Sequence, residues 1–151
     1  MNKKRVIFFI MMIAMMMLIF FFSSQNGEES SAMSSGVFLK LKENFNVNID
    51  IGVIRKLAHL TEYLFLGVSA ILYVGTFKNS DEKSMAIATA ICVLYAVSDE
   101  FHQYFIANRD GRFGDVLIDS TGAMLGITIT MLILLIMRRK NDKKITIWHL
   151  N

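Results

Sequence analysis

Residues 55–77 read RKLAHLTEYLFLGVSAILYVGTF, an apolar stretch of 23 residues that carries charge only in its first third. A transmembrane helix needs about 20 mostly apolar residues, within a range of about 17–25. Three other stretches meet this requirement, namely residues 6–22, 84–105 and 115–137. Hydrophobic residues make up 54% of the 151-residue chain, whereas soluble domains average about 45–50%. The sequence predicts an all-α polytopic membrane protein, one domain over residues 1–151 with four transmembrane helices and a cytoplasmic tail at 138–151.

The lysines and arginines predict how the helices are oriented, because basic residues accumulate on the cytoplasmic side. They lie before the first stretch, between the second and third, and after the fourth, as Lys3, Lys4, Arg5, Lys78, Lys83, Arg138, Arg139, Lys140, Lys143 and Lys144. With four spans these places fall on one side, so both termini are predicted to be cytoplasmic. The first stretch is 17 residues long. It exceeds the apolar core of about 7–15 residues in a signal peptide, which favours a retained anchor.

This orientation brings the polar groups of all four stretches to the outer membrane face. They are Ser23, Ser24, Gln25, Lys56, His59, Glu62, Tyr63, Asp99, Glu100, His102, Gln103, Asp115 and Asp119. Ionisable groups inside a bilayer cost roughly 2.5–3.5 kcal/mol each on insertion scales. Asp115 and Asp119 share a helical face with Gly122 and Gly126, and small residues four apart let helices pack closely. That face is predicted to point into the bundle.

The connections differ in what they predict. Residues 78–83 form a tight turn, and residues 106–114 form a second turn that sets Arg109 beside the polar groups. In the long loop over residues 23–53, the first part is rich in Ser, Glu and Gly and is predicted to be irregular. From Val37 onward, either a short extracellular amphipathic helix or a plain loop is predicted. The alternation from Phe45 to Ile51 is also typical of a strand.

Four segments of the sequence resemble those of the VanZ-like membrane proteins. They are FSSQ at 22–25, RKLAHLTEY at 55–63, YAVSDEFHQ at 95–103 and DVLIDSTG at 115–122, with Arg109 between the last two. The resemblance covers nearly the whole chain in order. It implies a multi-pass protein of the bacterial plasma membrane that is linked to the cell envelope. The family takes its name from a protein that raises resistance to teicoplanin, a glycopeptide, although the resemblance alone does not assign resistance to this chain.

The candidate catalytic residues are His59, Glu62, Asp99, His102 and Asp119. His59 with Glu62, and Asp99 with His102, are pairs of a histidine and a carboxylate three residues apart on a helix. A carboxylate beside an imidazole can hold it in one tautomer and make it a general acid or base. These pairs support a membrane-embedded hydrolase or transferase that acts on a lipid-linked phosphate.

The candidate ligand-binding residues are Lys56, Tyr63, Glu100, Gln103, Arg109, Asp115, Ser24 and Gln25. Lys56 and Arg109 could receive a phosphate or carboxylate, Arg109 in bidentate fashion. A site for an anionic ligand such as polyprenyl phosphate or a lipid-linked cell-wall precursor is therefore the first reading. The protein's other predicted partner is the bilayer. Nucleic acid is excluded, because no basic stripe with interleaved aromatic residues is present.

Two further readings stay open, a metal site and a purely structural network. His59, His102 and the carboxylates are metal-ligand types, but their spacing matches no specific metal signature, so cofactor and metal remain unassigned. A network of paired charges could also lock the helices together, as in a structural accessory subunit. Five carboxylates at the site face only Lys56 and Arg109 as fixed cations. Protonated histidines, a raised carboxyl pKa or a further cation must close this gap.

Overall fold

The protein contains no strand among the residues that the computed structural model describes, which are 3–45, 50–109 and 111–148. Five helices follow one another: α1 (Lys3–Ser23), α2 (Gly27–Phe45), α3 (Ile51–Val74), α4 (Asp81–Gln103) and α5 (Phe113–Trp148). Four helices are long and apolar enough to cross a membrane, namely α1, α3, α4 and the Phe113–Lys140 part of α5. The predicted all-α fold with four candidate spans is confirmed.

Side-chain caps explain why α3 and α4 begin a few residues before their apolar stretches. Asp50 accepts a hydrogen bond from the backbone N of Gly52 at 2.7 Å. Ser80 Oγ accepts one from the backbone N of Lys83 at 3.3 Å. Such caps satisfy backbone N–H groups that have no partner inside the helix. Each helix therefore extends back to its capping residue.

Two segments differ from their predictions. The prediction of irregular backbone before Val37 is wrong, because α2 begins at Gly27. Tertiary contact explains this start, since the backbone N of Gly27 donates to the Ala107 carbonyl at 3.1 Å. Residues 138–148 of the predicted tail continue α5, and no glycine or proline after Gly126 would stop the helix. The alternative strand centres on residues 46–49, which lie outside the described part of the chain.

Helix α3 lies at the centre of the bundle and contacts each of the other four helices. Its closest neighbour is α5, where glycines bring the two backbones together. A Cβ on Gly122 would meet the Leu60 carbonyl, one on Gly126 would meet the Leu64 carbonyl, and one on Gly67 would meet the Ala123 carbonyl. The prediction that the glycine face of α5 packs against a neighbouring helix is confirmed. We call this contact the glycine seam.

Gly122→Val is expected to lower the melting temperature of the detergent-solubilised protein, because the new side chain would force the helices of the seam apart. Overpacking of this kind typically costs about 1–3 kcal/mol and sometimes more. Gly114→Val in the first turn of α5 is the matched control, since a Cβ there has no atom within 4 Å among the described residues. Equal melting temperatures for the two variants would contradict the close approach.

Contacts at both helix ends define two opposite poles of the bundle. At one pole, Arg5 Nη2 donates to the Thr76 carbonyl at 3.1 Å, and Arg138 pairs with Asp81 at 2.9 Å. We call this the basic pole. The side chains that the sequence predicts to meet lie near the start of α3 and α5 and near the end of α1 and α4, at the other pole. Large apolar side chains between the poles are exposed, for example Met17, Leu94 and Leu132, as lipid-facing residues must be.

Candidate functional site

Asp99 and Glu100, near the end of α4, are buried carboxylates held by hydrogen bonds. Ser23 Oγ donates to Asp99 Oδ2 at 2.9 Å. Gln103 Nε2 donates to Asp99 Oδ2 at 3.1 Å and to Glu100 Oε1 at 3.2 Å. The backbone N of Arg112 donates to Glu100 Oε2 at 2.9 Å. Both carboxylates are thus fixed in position by donors from α1, α4 and the turn before α5.

Asp119 on α5 is completely buried, with 0% of its surface exposed. Its Oδ1 lies 3.4 Å from Nδ1 of His59 on α3. Within the part of the chain that the structure describes, neither Asp119 oxygen has a hydrogen-bond partner, and neither does His59 Nδ1 or the Tyr63 hydroxyl. Buried polar groups are nearly always satisfied, and exceptions call for an explanation such as an ion or water.

These side chains converge on one point at which three helices meet. One ligand-type atom from each of His59, Asp99, Glu100 and Asp119 lies within 4.8 Å of every other. We call these four residues the carboxylate–histidine cluster. The sequence predicts a pair of His59 with Glu62, because they are three residues apart on one helix. In the structure, His59 instead contacts Asp119 across the glycine seam. Such a cross-helix contact depends on packing, which no single stretch of sequence encodes.

Arg109 is buried and bonds the end of α1. Its Nη1 donates to the Ser23 carbonyl at 3.0 Å, and its Nη2 donates to the Phe22 carbonyl at 3.1 Å. Burial lowers the pKa of the Arg109 guanidinium, and Arg55 acts in the same direction, but arginine stays charged in proteins. A cation at a helix C-terminus is favoured by the helix dipole and satisfies carbonyls that lack intrahelical partners. Arg109 therefore anchors α1 against the turn before α5.

His102 and Ser24 lie on the α1 side of α4. His102 Nε2 is 3.3 Å from Ser24 Oγ, and its ring stacks on Phe20 with the ring centroids 4.9 Å apart. Among the described residues, His102 is not one of the four members of the carboxylate–histidine cluster. The two candidate histidines thus occupy different environments, one in the cluster and one on the flank of α1.

Two cavities open next to the cluster and share lining residues. The first, of about 160 Å³, is lined by Gly52, Arg55, Lys56, His59, Asn108, Arg112, Asp115 and Ile118. The second, of about 90 Å³, shares Arg55 and His59 with the first and also includes Gln25, Glu62 and Arg109 in its lining. The predicted ligand-binding residues Lys56, Asp115, Gln25 and Arg109 thus lie on cavity walls. We call the first the basic cavity.

A third cavity is an apolar groove of about 540 Å³ between α1, α2 and α3. It is lined by Met15, Leu18, Val37, Ile54, Leu57, Ala58, Thr61, Glu62 and Phe65. Ala58 and Glu62 also line the second cavity, which in turn shares Arg55 and His59 with the basic cavity. The second cavity therefore lies between the basic cavity and the apolar groove.

Sequence reasoning missed Arg55, Arg112 and Ser23 as site residues. Arg55 and Arg112 flank apolar stretches, so they read as ordinary interfacial charges, although each lies beside a candidate residue. Ser23 reads as a helix-end residue like its neighbour Ser24. Only the packed structure distinguishes Ser23, which contacts Asp99, from Ser24, which contacts His102.

Four candidate membrane spans and a buried ionisable cluster at one pole define a polytopic helical membrane protein with a polar site. A family model described as VanZ/LLP1 matches residues 8–135. The chain belongs to the VanZ/LLP1 family, and the predicted resemblance to VanZ-like proteins is confirmed. No curated protein and no solved structure matches the chain.

Proposed function

We propose that this VanZ-like protein binds an anionic, lipid-linked ligand, such as polyprenyl phosphate or a lipid-linked cell-wall precursor, at its polar pole. The observation that supports this most strongly is that the basic cavity and the apolar groove each share lining residues with the second cavity. Arg55 lines both the basic and the second cavity, and Glu62 lines both the second cavity and the groove. An amphipathic ligand needs a polar and an apolar environment close to each other.

The basic cavity suits an anionic head group. Among the described residues, Arg55, Lys56 and Arg112 contribute three cations to its wall, against the carboxylate of Asp115. Arginine recognises phosphate through paired N–H donors, and lysine adds a compact charge. Hydrogen bonds to charged groups contribute about 1.5–3 kcal/mol each. The head group is therefore held at the cavity mouth by arginine and lysine donors.

The groove suits an isoprenoid or acyl chain. Its wall is formed by apolar side chains such as Met15, Leu57 and Phe65, and Glu62 stands at its polar end. Methionine adapts its shape to irregular apolar partners. A tail in the groove would lie beside Ala58 and Glu62, which also line the second cavity together with Arg55 and His59.

The cellular part of the proposal follows the basic residues. We propose that both termini lie in the cytoplasm and the polar pole at the outer face of the bacterial plasma membrane. The positions of Arg5 and Arg138 at the basic pole support this orientation under the positive-inside rule. An alkaline phosphatase fused after residue 151 is then inactive. An active fusion would show that the C-terminus lies outside the cytoplasm and would contradict the proposed orientation. We also propose that the protein acts in the cell envelope and contributes to teicoplanin resistance. The teicoplanin susceptibility of cells that express the chain measures this contribution.

Binding is tested with purified protein and two probes, polyprenyl phosphate and the uncharged polyprenol, by native mass spectrometry. The wild type is expected to retain the phosphate and to release the alcohol. Arg55→Gln with Lys56→Gln is expected to weaken phosphate binding at least about tenfold, since about 1.4 kcal/mol corresponds to a factor of ten. Lys83→Gln with Arg139→Gln, at the basic pole, is the charge-matched control. Equal retention of both probes by the wild type would reject the proposed function.

A second candidate function is hydrolysis of, or group transfer from, a lipid-linked phosphate. The 3.4 Å contact between His59 and Asp119 favours it, because a carboxylate orients an imidazole for proton transfer. Hydrolysis of polyprenyl diphosphate would add water across the P–O–P bridge and release polyprenyl phosphate and inorganic phosphate. Phosphate release that disappears in His59→Gln supports this candidate. Absence of turnover by wild-type protein rejects it and leaves the binding proposal untouched.

A further inference from the structure

We propose that the carboxylate–histidine cluster of His59, Asp99, Glu100 and Asp119 binds one divalent transition-metal ion of the Zn²⁺ or Mn²⁺ type. This inference stands on the geometry of the cluster and is independent of which lipid occupies the cavities. It would place a metal ion beside His59, which also lines the basic cavity.

The spacing of the four ligand atoms fits a common metal centre. All four lie within 4.8 Å of one another. Two atoms that bind the same tetrahedral Zn²⁺ at about 2.0–2.2 Å lie about 3.3–3.6 Å apart. Side-chain adjustments of up to about 1 Å therefore bring the cluster to coordination distance.

The state of Asp119 is a second, independent observation. Its surface is 0% exposed, and both of its oxygens lack a hydrogen-bond partner among the described residues. Leaving a buried charged group unsatisfied costs more than about 1–3 kcal/mol. A metal ion among the four ligand atoms satisfies Asp119 directly, and no described side chain does so by hydrogen bonding.

Neighbouring side chains hold the carboxylates of Asp99 and Glu100 in position by hydrogen bonds. Ser23 and Gln103 donate to Asp99 Oδ2, and Gln103 also donates to Glu100 Oε1. Metal-binding carboxylates are usually hydrogen-bonded in this way, which fixes their orientation toward the ion. The donors come from α1 and α4, so the ligands are held in position by the packed bundle.

Charge balance supports a cation at this point. Three carboxylates of the cluster lie in membrane-spanning helices. Arg109 is a nearby buried cation, but two of its nitrogens bind the Phe22 and Ser23 carbonyls at the end of α1. A divalent ion offsets most of the negative charge at the site. Protons on the carboxylates are the competing explanation, and metal analysis separates the two.

The ligand set indicates the class of ion. One imidazole and three carboxylates form a mixed nitrogen and oxygen set, which suits Zn²⁺, Mn²⁺ or Fe²⁺. Calcium prefers six to eight oxygen ligands, and Cu(I) prefers sulfur. No cysteine contributes, because the single cysteine, Cys92, lies on α4 outside the cluster.

The test is metal analysis of the full-length protein in detergent after incubation with excess Zn²⁺ and removal of unbound ion. The wild type is expected to retain close to one Zn²⁺ per chain. Asp119→Asn is expected to weaken retention by more than about 100-fold, beyond the roughly 10–100-fold loss typical for outer-shell changes. Asp81→Asn removes an exposed carboxylate from the same bundle and is the matched control.

Co²⁺ provides a readout that does not depend on how well Asp119→Asn folds. In His59→Cys the thiolate replaces an imidazole ligand, so Co²⁺ bound there gains a sulfur-to-metal charge-transfer band that the wild type lacks. Wild-type protein that retains neither Zn²⁺ nor Mn²⁺ would refute the site, as would full retention in Asp119→Asn. Because the lipid probes are measured separately, metal retention without lipid binding would reject the proposed function alone, and the reverse result would reject the metal site alone.

Discussion

Asp119→Leu is expected to stabilise the protein in the presence of a chelator and to destabilise it, relative to wild type, in the presence of Zn²⁺. Without metal, the wild type keeps a buried carboxylate with no hydrogen-bond partner among the described residues. A buried polar group without a hydrogen-bond partner costs about 1–3 kcal/mol, and more when it is charged, and an apolar side chain of similar volume removes this cost. With metal at about 1,000 times its dissociation constant, the wild type gains roughly 4 kcal/mol that the variant lacks.

The single buried cysteine makes this measurement simple. Cys92 is 0% exposed, so a thiol-reactive dye reports its exposure as the protein unfolds on heating. The diagnostic result is a reversed order of melting temperatures. Asp119→Leu melts above the wild type in chelator and below it in Zn²⁺. Asp81→Leu, which removes one partner of the exposed pair with Arg138, is expected to shift the melting temperature little and equally in both conditions. If Asp119→Leu lowers the melting temperature by the same amount in both, Asp119 has a structural role only.

Arg109→Gln is expected to lower stability by about 2–6 kcal/mol, because it leaves two backbone carbonyls at the end of α1 without their donors. The Ser23 and Phe22 carbonyls accept from Arg109 at 3.0 and 3.1 Å. Each buried group left unsatisfied costs about 1–3 kcal/mol. Arg109→Lys keeps the charge but not the two-armed donor, so we expect an intermediate loss.

Arg138→Gln is the control for the Arg109 variants, because the Arg138 side chain is 58% exposed and its pair with Asp81 is a surface pair. Exposed pairs contribute at most about 1 kcal/mol. The dye-binding assay at Cys92 measures all three variants under the same conditions. A loss for Arg109→Gln no greater than that for Arg138→Gln would show that α1 does not depend on this anchor.

The spans and the shared polar pole could be predicted from sequence, because both follow from local rules. An apolar run of sufficient length predicts a spanning helix, and the polar groups sit at fixed ends of those runs. The glycine seam was also predictable, since Gly122 and Gly126 share the face of Asp119. These features depend on helical geometry, which a single stretch encodes.

The pairing of side chains could not be predicted, because it depends on how the helices rotate and approach. His59 has a carboxylate one turn away at Glu62, yet the contact that the structure gives is with Asp119 on another helix. Arg109 was expected to bind a ligand, and its two described bonds are to the α1 carbonyls. The start of α2 depends on Gly27 meeting Ala107, a contact between residues far apart in the chain.

The glycine seam has a consequence for how a lipid could reach the site. Where Gly122 and Gly126 touch the backbone of α3, no side chain lies between the helices that could change rotamer and make room. The opposite wall of the apolar groove is formed by flexible side chains such as Met15 and Leu18. We therefore expect α3 and α5 to behave as a fixed frame, and the rotamers of Met15 and Leu18 to set the width of the groove, so that a lipid tail enters sideways from the bilayer.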